Sequence, residues 1–167
     1  MAKRIVSVTT QTPTATADTA NLVDATYPFL VQGGTATQRV NISEIYLGGQ
    51  AGASAPTIMV LSRDTTVAAT NSNGAGQTDA PTDASTAALA APTLTGNTNT
   101  TKPQRSATAH LLNLSFNAFG GIVRWVAAPG SEISVIGNTA PLGEVSLSAF
   151  TGGTPGALGA HLIYESF

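Results

Sequence analysis

The chain has 167 residues with seven Lys/Arg against nine Asp/Glu, so charged side chains reach only 10% where soluble domains average about 25%. A formal net charge of −2 excludes the concentrated positive charge that nonspecific binding to nucleic acid or anionic membranes requires. With no Cys, disulfide stapling, thiolate metal ligation and thiol catalysis are excluded as well.

Thr (25), Ala (27), Gly (17) and Ser (13) fill the composition instead. The length suits one domain with appendages. Ile5–Thr10, after Lys3 and Arg4, is too short and polar for the apolar region of a signal peptide. No stretch approaches the ~20 apolar residues of a membrane helix. The expectation is a protein made in the host cytoplasm that stays soluble or leaves inside a larger particle.

Period-two alternation organises the chain. Residues 3–10 alternate around Val6 and Val8. Residues 27–31 form a short candidate strand. Over 38–47, Val40 and Ile42 share one face and Ile45 and Leu47 the other, which predicts a bulge near Ser43-Glu44. Residues 57–63 are apolar on both faces and read as a central strand. From His110 to Ala118, Leu112, Leu114, Phe116 and Ala118 face one way, with Asn113, Ser115 and Asn117 facing the other.

Shorter repeats of the pattern follow. Ile122–Ala127 holds the only Trp, Trp125, and Arg124 beside it points to the opposite face. Pro129-Gly130 marks a turn, Glu132–Ile136 a strand, and Gly137-Asn138 its end. Glu144–Phe150 sets Val145, Leu147 and Ala149 against Ser146 and Ser148, and Gly159–Phe167 alternates through His161, Ile163 and Glu165. Strands separated by Gly/Pro/Asn turns every eight to twelve residues predict an all-β fold. We expect a two-sheet antiparallel sandwich of eight to nine strands, jelly-roll-like first and immunoglobulin-like second.

Two segments fall outside this pattern. Residues 1–26 read as an N-terminal strand and arm, ahead of a sandwich domain over 27–167. Residues 64–105 read as a long irregular insertion of Thr, Ala, Asn, Asp, Gly and Pro, with a short helix possible over Asp83–Ala91. A connection of that length in a compact domain is functional or disordered. Leu89 and Leu94 give it side chains with which to dock on a neighbouring subunit.

Catalytic chemistry finds little support. His110 and His161 sit in predicted strands without local acids or further ligands, which leaves no metal site. Glu132 and Glu144 flank predicted turns, where carboxylates are ordinarily solvated. No Gly-x-Ser-x-Gly elbow occurs. Gly48-Gly49-Gln50-Ala51-Gly52 lacks the Lys-Ser/Thr ending of a phosphate loop and reads as a turn, as do Gly33-Gly34 and Gly152-Gly153-Thr154-Pro155-Gly156. The expectation is no enzyme, no cofactor and no metal. A row of exposed aromatics would serve as a sugar-stacking platform, which keeps a carbohydrate-binding reading open.

Asn117-Ala118-Phe119-Gly120-Gly121-Ile122-Val123-Arg124-Trp125, the Pro129-Gly130 turn and the ending His161-Leu162-Ile163-Tyr164-Glu165, with the Thr/Ala-rich middle, resemble small capsid decoration (cement) proteins of tailed bacteriophages. The resemblance lies mainly in residues 106–167. It implies a jelly roll or related sandwich, oligomeric and often trimeric, that sits on the capsid surface and pins neighbouring major capsid subunits. It brings no catalytic residue and no cofactor, and it does not cover 64–105.

The expected function is therefore a noncatalytic virion structural protein on the capsid surface. Its partners would be the major capsid protein and copies of itself, a trimer before a dimer, with neither nucleic acid nor membrane. Interface contacts are expected from Arg4, Leu89, Leu94, Arg105 and Arg124. Another virion component (tail, neck or fibre) and a carbohydrate-binding adhesion module are the alternatives.

Overall fold

Alternation at period two becomes eleven strands in a computed structural model that describes residues 5–12, 29–33, 35–67, 80–83, 94–96, 104–149 and 157–167. They are β1 (Ile5–Thr12), β2 (Phe29–Gln32), β3 (Arg39–Gly49), β4 (Pro56–Thr66), β5 (Ala80–Pro81) and β6 (Leu94–Gly96). β7 (Gln104–Asn117), β8 (Ile122–Val126), β9 (Ile133–Ile136), β10 (Glu144–Ala149) and β11 (Leu158–Ser166) complete the set. No helix occurs among the described residues.

The strands form two antiparallel sheets. One runs β5-β1-β11-β3-β8, with β9 also paired to β3; the other runs β6-β2-β10-β4-β7. We call them the first and second sheet. The first strand of the chain thus lies beside the last, Ile5 opposite Glu165 and Thr12 opposite Leu158.

One buried apolar cluster draws on both sheets. Val40, Ile42, Ile45, Leu47, Leu158, Leu162 and Tyr164 come from the first, and Val31, Met59, Leu61, Phe116, Val145 and Leu147 from the second. Each fully buried Leu, Ile or Val contributes roughly 1.5–3 kcal/mol. The cluster is therefore what holds the sheets face to face.

The bulge expected in β3 is present. Ile163 pairs with Glu44 and Tyr164 with Ile42, so Ser43 is the extra residue. Its Oγ donates to the Ile163 carbonyl at 3.1 Å, and its own carbonyl accepts from Ala127 N–H at 2.9 Å. The extra residue flips the alternation once, so that Val40, Ile42, Ile45 and Leu47 all reach the same core. The same point divides the strands alongside: β9 pairs with Arg39–Ile42 and β8 with Glu44–Gly48.

The irregular segment is shorter than the composition suggests. β4 runs through Asp64 to Thr66 and β7 starts at Gln104, while Ala80–Pro81 pairs with β1 and Leu94–Gly96 with β2. The N-terminal strand is likewise built into a sheet, between β5 and β11. The remainder of the arm and the helix expected over Asp83–Ala91 lie, apart from Asp83, outside the described residues.

At one end of the molecule the loops are tied together by Asn117. Its Oδ1 accepts from Ala55 N–H and Phe119 N–H, both at 3.0 Å, and its Nδ2 donates to Ser54 Oγ at 3.0 Å. Gly120 turns the chain there with a φ of 68°, a conformation open to glycine at little cost. Gln50 N–H reaches across to the Ala157 carbonyl at 2.9 Å. The connections β3–β4, β7–β8 and the entry to β11 therefore converge.

Candidate functional site

Among the described residues, three features outside the apolar core carry side chains capable of recognition or chemistry: the outer face of the first sheet, its β8 edge, and a polar group on the far side of the second sheet.

On the outer face of the first sheet, cross-strand register builds successive rungs. Glu44 lies between Ile163 and Val126, Tyr46 between His161 and Arg124, and Gly48 between Gly159 and Ile122. Arg124 grips Glu44 with two hydrogen bonds, Nε to Oε1 at 2.6 Å and Nη2 to Oε2 at 2.9 Å. The guanidinium holds the Glu44 carboxyl below its ordinary range, against partial burial that pushes it up, and the charges of Arg124 and nearby His161 add to the lowering. Glu44 in turn raises the pKa of Arg124.

Below that pair the two-glycine rung leaves a shallow depression of about 280 Å³. Tyr46, His161, Gln50, Gly48, Gly49, Gly159 and Ala160 line it.

β8 is an outer strand of this sheet among the described residues. Its inward positions, Val123 and Trp125, pack on the core, and its outward positions remain in solvent. Ile122 is 68% exposed, Val126 53%, and Phe119, in the turn leading into the strand, 57%.

The third feature departs from the sequence reading. Val145, Leu147 and Ala149 of β10 face the core, so Glu144, Ser146 and Ser148 point to the other side of the second sheet, yet all three are buried. Glu144, expected as a solvated carboxylate beside a turn, has no solvent exposure. Asp64 at the end of β4 is enclosed with it and accepts a 2.7 Å hydrogen bond from Ser146 Oγ. Burial pushes the Asp64 carboxyl up to about 7, against the hydrogen bonds from Ser146 and with Glu144 and the charge of Arg105.

Arg105 belongs to this group. It is buried, its Nη1 donates to Ser148 Oγ at 2.6 Å, and it lies opposite Asp64 in the ladder. Arg105, expected at an interface, is buried within the chain, where its Nη1 donates to the Ser148 hydroxyl and the Ala149 carbonyl. Asp, Glu, Ser and Arg together are reagents of hydrolytic chemistry; here they are buried, Ser146 is hydrogen-bonded to Asp64 and Arg105 to Ser148, and Asp64 Oδ2 has no hydrogen-bond partner among the described residues. A fully desolvated polar set of this kind holds strands in place.

Of the remaining expected interface residues, Arg124 is exposed and engaged with Glu44. Leu94 opens β6, with its backbone opposite Gln32. Arg4 and Leu89 lie outside the described residues. His110 lies opposite Ser62 on β7, far in register from His161 on the first sheet. His161, read as lacking a nearby acid, has Glu44 close enough to feel its charge. Among the described residues no three His, Asp or Glu side chains converge as a metal site would need. Sequence reasoning missed the Glu44–Arg124 pair and the depression below it. The available signal was that Glu44, Tyr46 and Gly48 share one face of an otherwise apolar strand.

No protein-family model, curated protein or solved structure matches the chain.

Proposed function

We propose that this chain is a noncatalytic virion structural protein, a jelly roll that binds the outer surface of a phage capsid and clamps neighbouring major capsid subunits. The strand orders β1-β11-β3-β8 and β2-β10-β4-β7 support the jelly-roll reading: β1 meets β11 in one sheet, and these eight strands alternate between sheets in chain order except at β4 and β7, which pair within the second. Such double-sheet folds recur in capsid proteins.

The observation that carries the functional reading is the β8 edge. Ile122, Val126 and Phe119 expose large apolar side chains on an outer strand and its entry turn, where natural sheets ordinarily place charge, proline or a covering segment. Exposed apolar side chains grouped in this way favour docking against a partner, since burial returns about 25 cal/mol for each Å² removed from water. A homo-oligomer, a trimer before a dimer, would present several such edges at once and gain avidity on a repeating lattice.

Cosedimentation with shells assembled from the major capsid protein of the same genome tests the reading. Wild type is expected to travel with the shells, and the double variant Ile122→Asp, Val126→Asp to stay at the top of the gradient while keeping its β circular dichroism. Wild type that stays behind at saturating concentration overturns it.

A further inference from the structure

β8 presents more than apolar side chains along its outer edge. Residues of an antiparallel strand send their N–H and C=O alternately to one side and to the other. The Gly121 carbonyl accepts from Gly49 N–H and Ala127 N–H donates to the Ser43 carbonyl, so the odd-numbered residues of this stretch face β3. The N–H and C=O of Ile122, Arg124 and Val126 therefore point away from β3. These are also the exposed residues of the strand, and among the described residues β3 is the strand laddered to it. We infer that the β8 edge takes up an extended segment of a major capsid subunit as an added strand, with an acidic residue opposite Arg124 and an apolar residue two positions to either side. This rests on the capsid reading above and specifies the chemistry of the partner.

The backbone makes the occupant a strand. A row of N–H and C=O groups repeating about every 7 Å is matched in full by another extended chain, which is how peptides add to sheet edges. Natural sheets blunt such an edge with proline, lysine or a bulge. Ile122–Val126 holds no proline or lysine and pairs with β3 in unbroken register. Its apolar outward members, Ile122 and Val126, are β-branched residues that suit a strand with neighbours on both sides.

Charge decides between partners. Antiparallel pairing of two copies through Ile122, Arg124 and Val126 would align Ile122 with Val126 and set Arg124 against its own equivalent, and like charges directly opposite are destabilising. Glu44 holds Arg124 through Nε and Nη2, but a guanidinium has further N–H groups to give. The Glu44 side chain is 16% exposed against 57% for Arg124, so positive charge is what this edge shows a neighbour. A carboxylate opposite Arg124 meets that charge. Ile122 and Val126, on the same face of the strand, each take an apolar neighbour.

Binding of proline and threonine variants to shells of the major capsid protein tests this. Proline at 122 or 126 keeps apolar surface and breaks no bond to β3, but removes an edge donor. Threonine keeps the donor and gives up apolar surface. Ile122→Pro and Val126→Pro should each bind at least tenfold more weakly than Ile122→Thr and Val126→Thr. Arg124→Gln, which keeps its edge N–H and drops the charge, should bind at least fivefold more weakly than wild type. Residue-resolved hydrogen exchange on the wild type needs no substitution: on shell binding the Ile122, Arg124 and Val126 amides should slow at least tenfold. Folded proline variants that bind as tightly as their threonine counterparts, or edge amides whose exchange is unchanged in the bound protein, overturn the added strand and leave the capsid reading standing. Unchanged binding of Arg124→Gln overturns the acidic partner. Wild type that does not bind shells overturns the capsid reading itself, and the added strand with it.

Discussion

Ser146 Oγ donates a 2.7 Å hydrogen bond to Asp64 Oδ1 on the side of the second sheet away from the apolar core, and neither residue touches solvent. This contact joins β10 to β4, whose inward sides are joined by Leu147 opposite Leu61. The two strands are therefore held by apolar packing on one face and by enclosed polar contacts on the other. Removing one member of such a set leaves its partner desolvated and unpaired, which costs more than the hydrogen bond contributed.

Asp64 makes stability depend on pH in a definite direction. Its carboxyl titrates at about 7 in the fold, against an ordinary 3.8. Below the lower value both folded and unfolded chains hold the proton. Between the two values the unfolded chain has released it while the folded chain keeps it, so rising pH favours unfolding. Asp64 therefore contributes most at low pH, and that contribution fades as the pH climbs to about 7. Asp64→Asn, which keeps an acceptor for Ser146 but cannot ionise, should gain melting temperature relative to wild type between pH 4.5 and pH 8. Each kcal/mol corresponds to roughly 2–4 °C in a chain of this size. An offset equal at both pH values would contradict the assignment.

Adjacent glycines in β3 should respond oppositely to the same substitution. Gly49→Ala drives a methyl into the Ala118 backbone, where no flexible side chain can yield, and should destabilise by about 1–3 kcal/mol. Gly48→Ala makes only an ordinary contact, with Tyr46 Cε1 at 3.9 Å, and should leave stability unchanged or slightly raised. Denaturant unfolding of the two variants checks this. Equal losses would mean that the strand is placed differently from the ladder described above.

Much of this architecture was legible in the sequence, because burial on one face writes alternation into the chain. The bulge at Ser43 followed from the change of face between Ile42 and Ile45. The inward set Val145, Leu147 and Ala149 followed from alternation alone. Alternation says which side a residue faces, however, and not what lies on that side. Glu144 therefore looked solvated, and it is buried together with Ser146 and Ser148. The contact of Arg105 was illegible for the same reason: its partner Ser148 is 43 residues away on another strand. The depression at Gly48 and Gly159 depends on the register of β3 against β11, which neither strand encodes by itself.

Asn117 should prove the anchor of the loop end. Asn117→Ala removes two acceptor contacts and one donor contact, and at about 0.5–1.5 kcal/mol each a loss of about 1.5–4.5 kcal/mol is expected. Asn117→Asp retains both acceptances and should lose less. Hydrogen exchange at the Ala55 and Phe119 amides reads the effect locally: faster in the alanine variant, near wild type in the aspartate variant. Unchanged exchange in Asn117→Ala would show that other contacts hold these loops.

Electron cryomicroscopy of capsid shells incubated with the purified chain addresses the proposed role most directly. The expected image carries added density on the outer surface at symmetry-related positions, with the β8 edge and Phe119 turned toward the shell. Shells that remain bare at saturating protein, or density confined to the interior or to a single vertex, would contradict it.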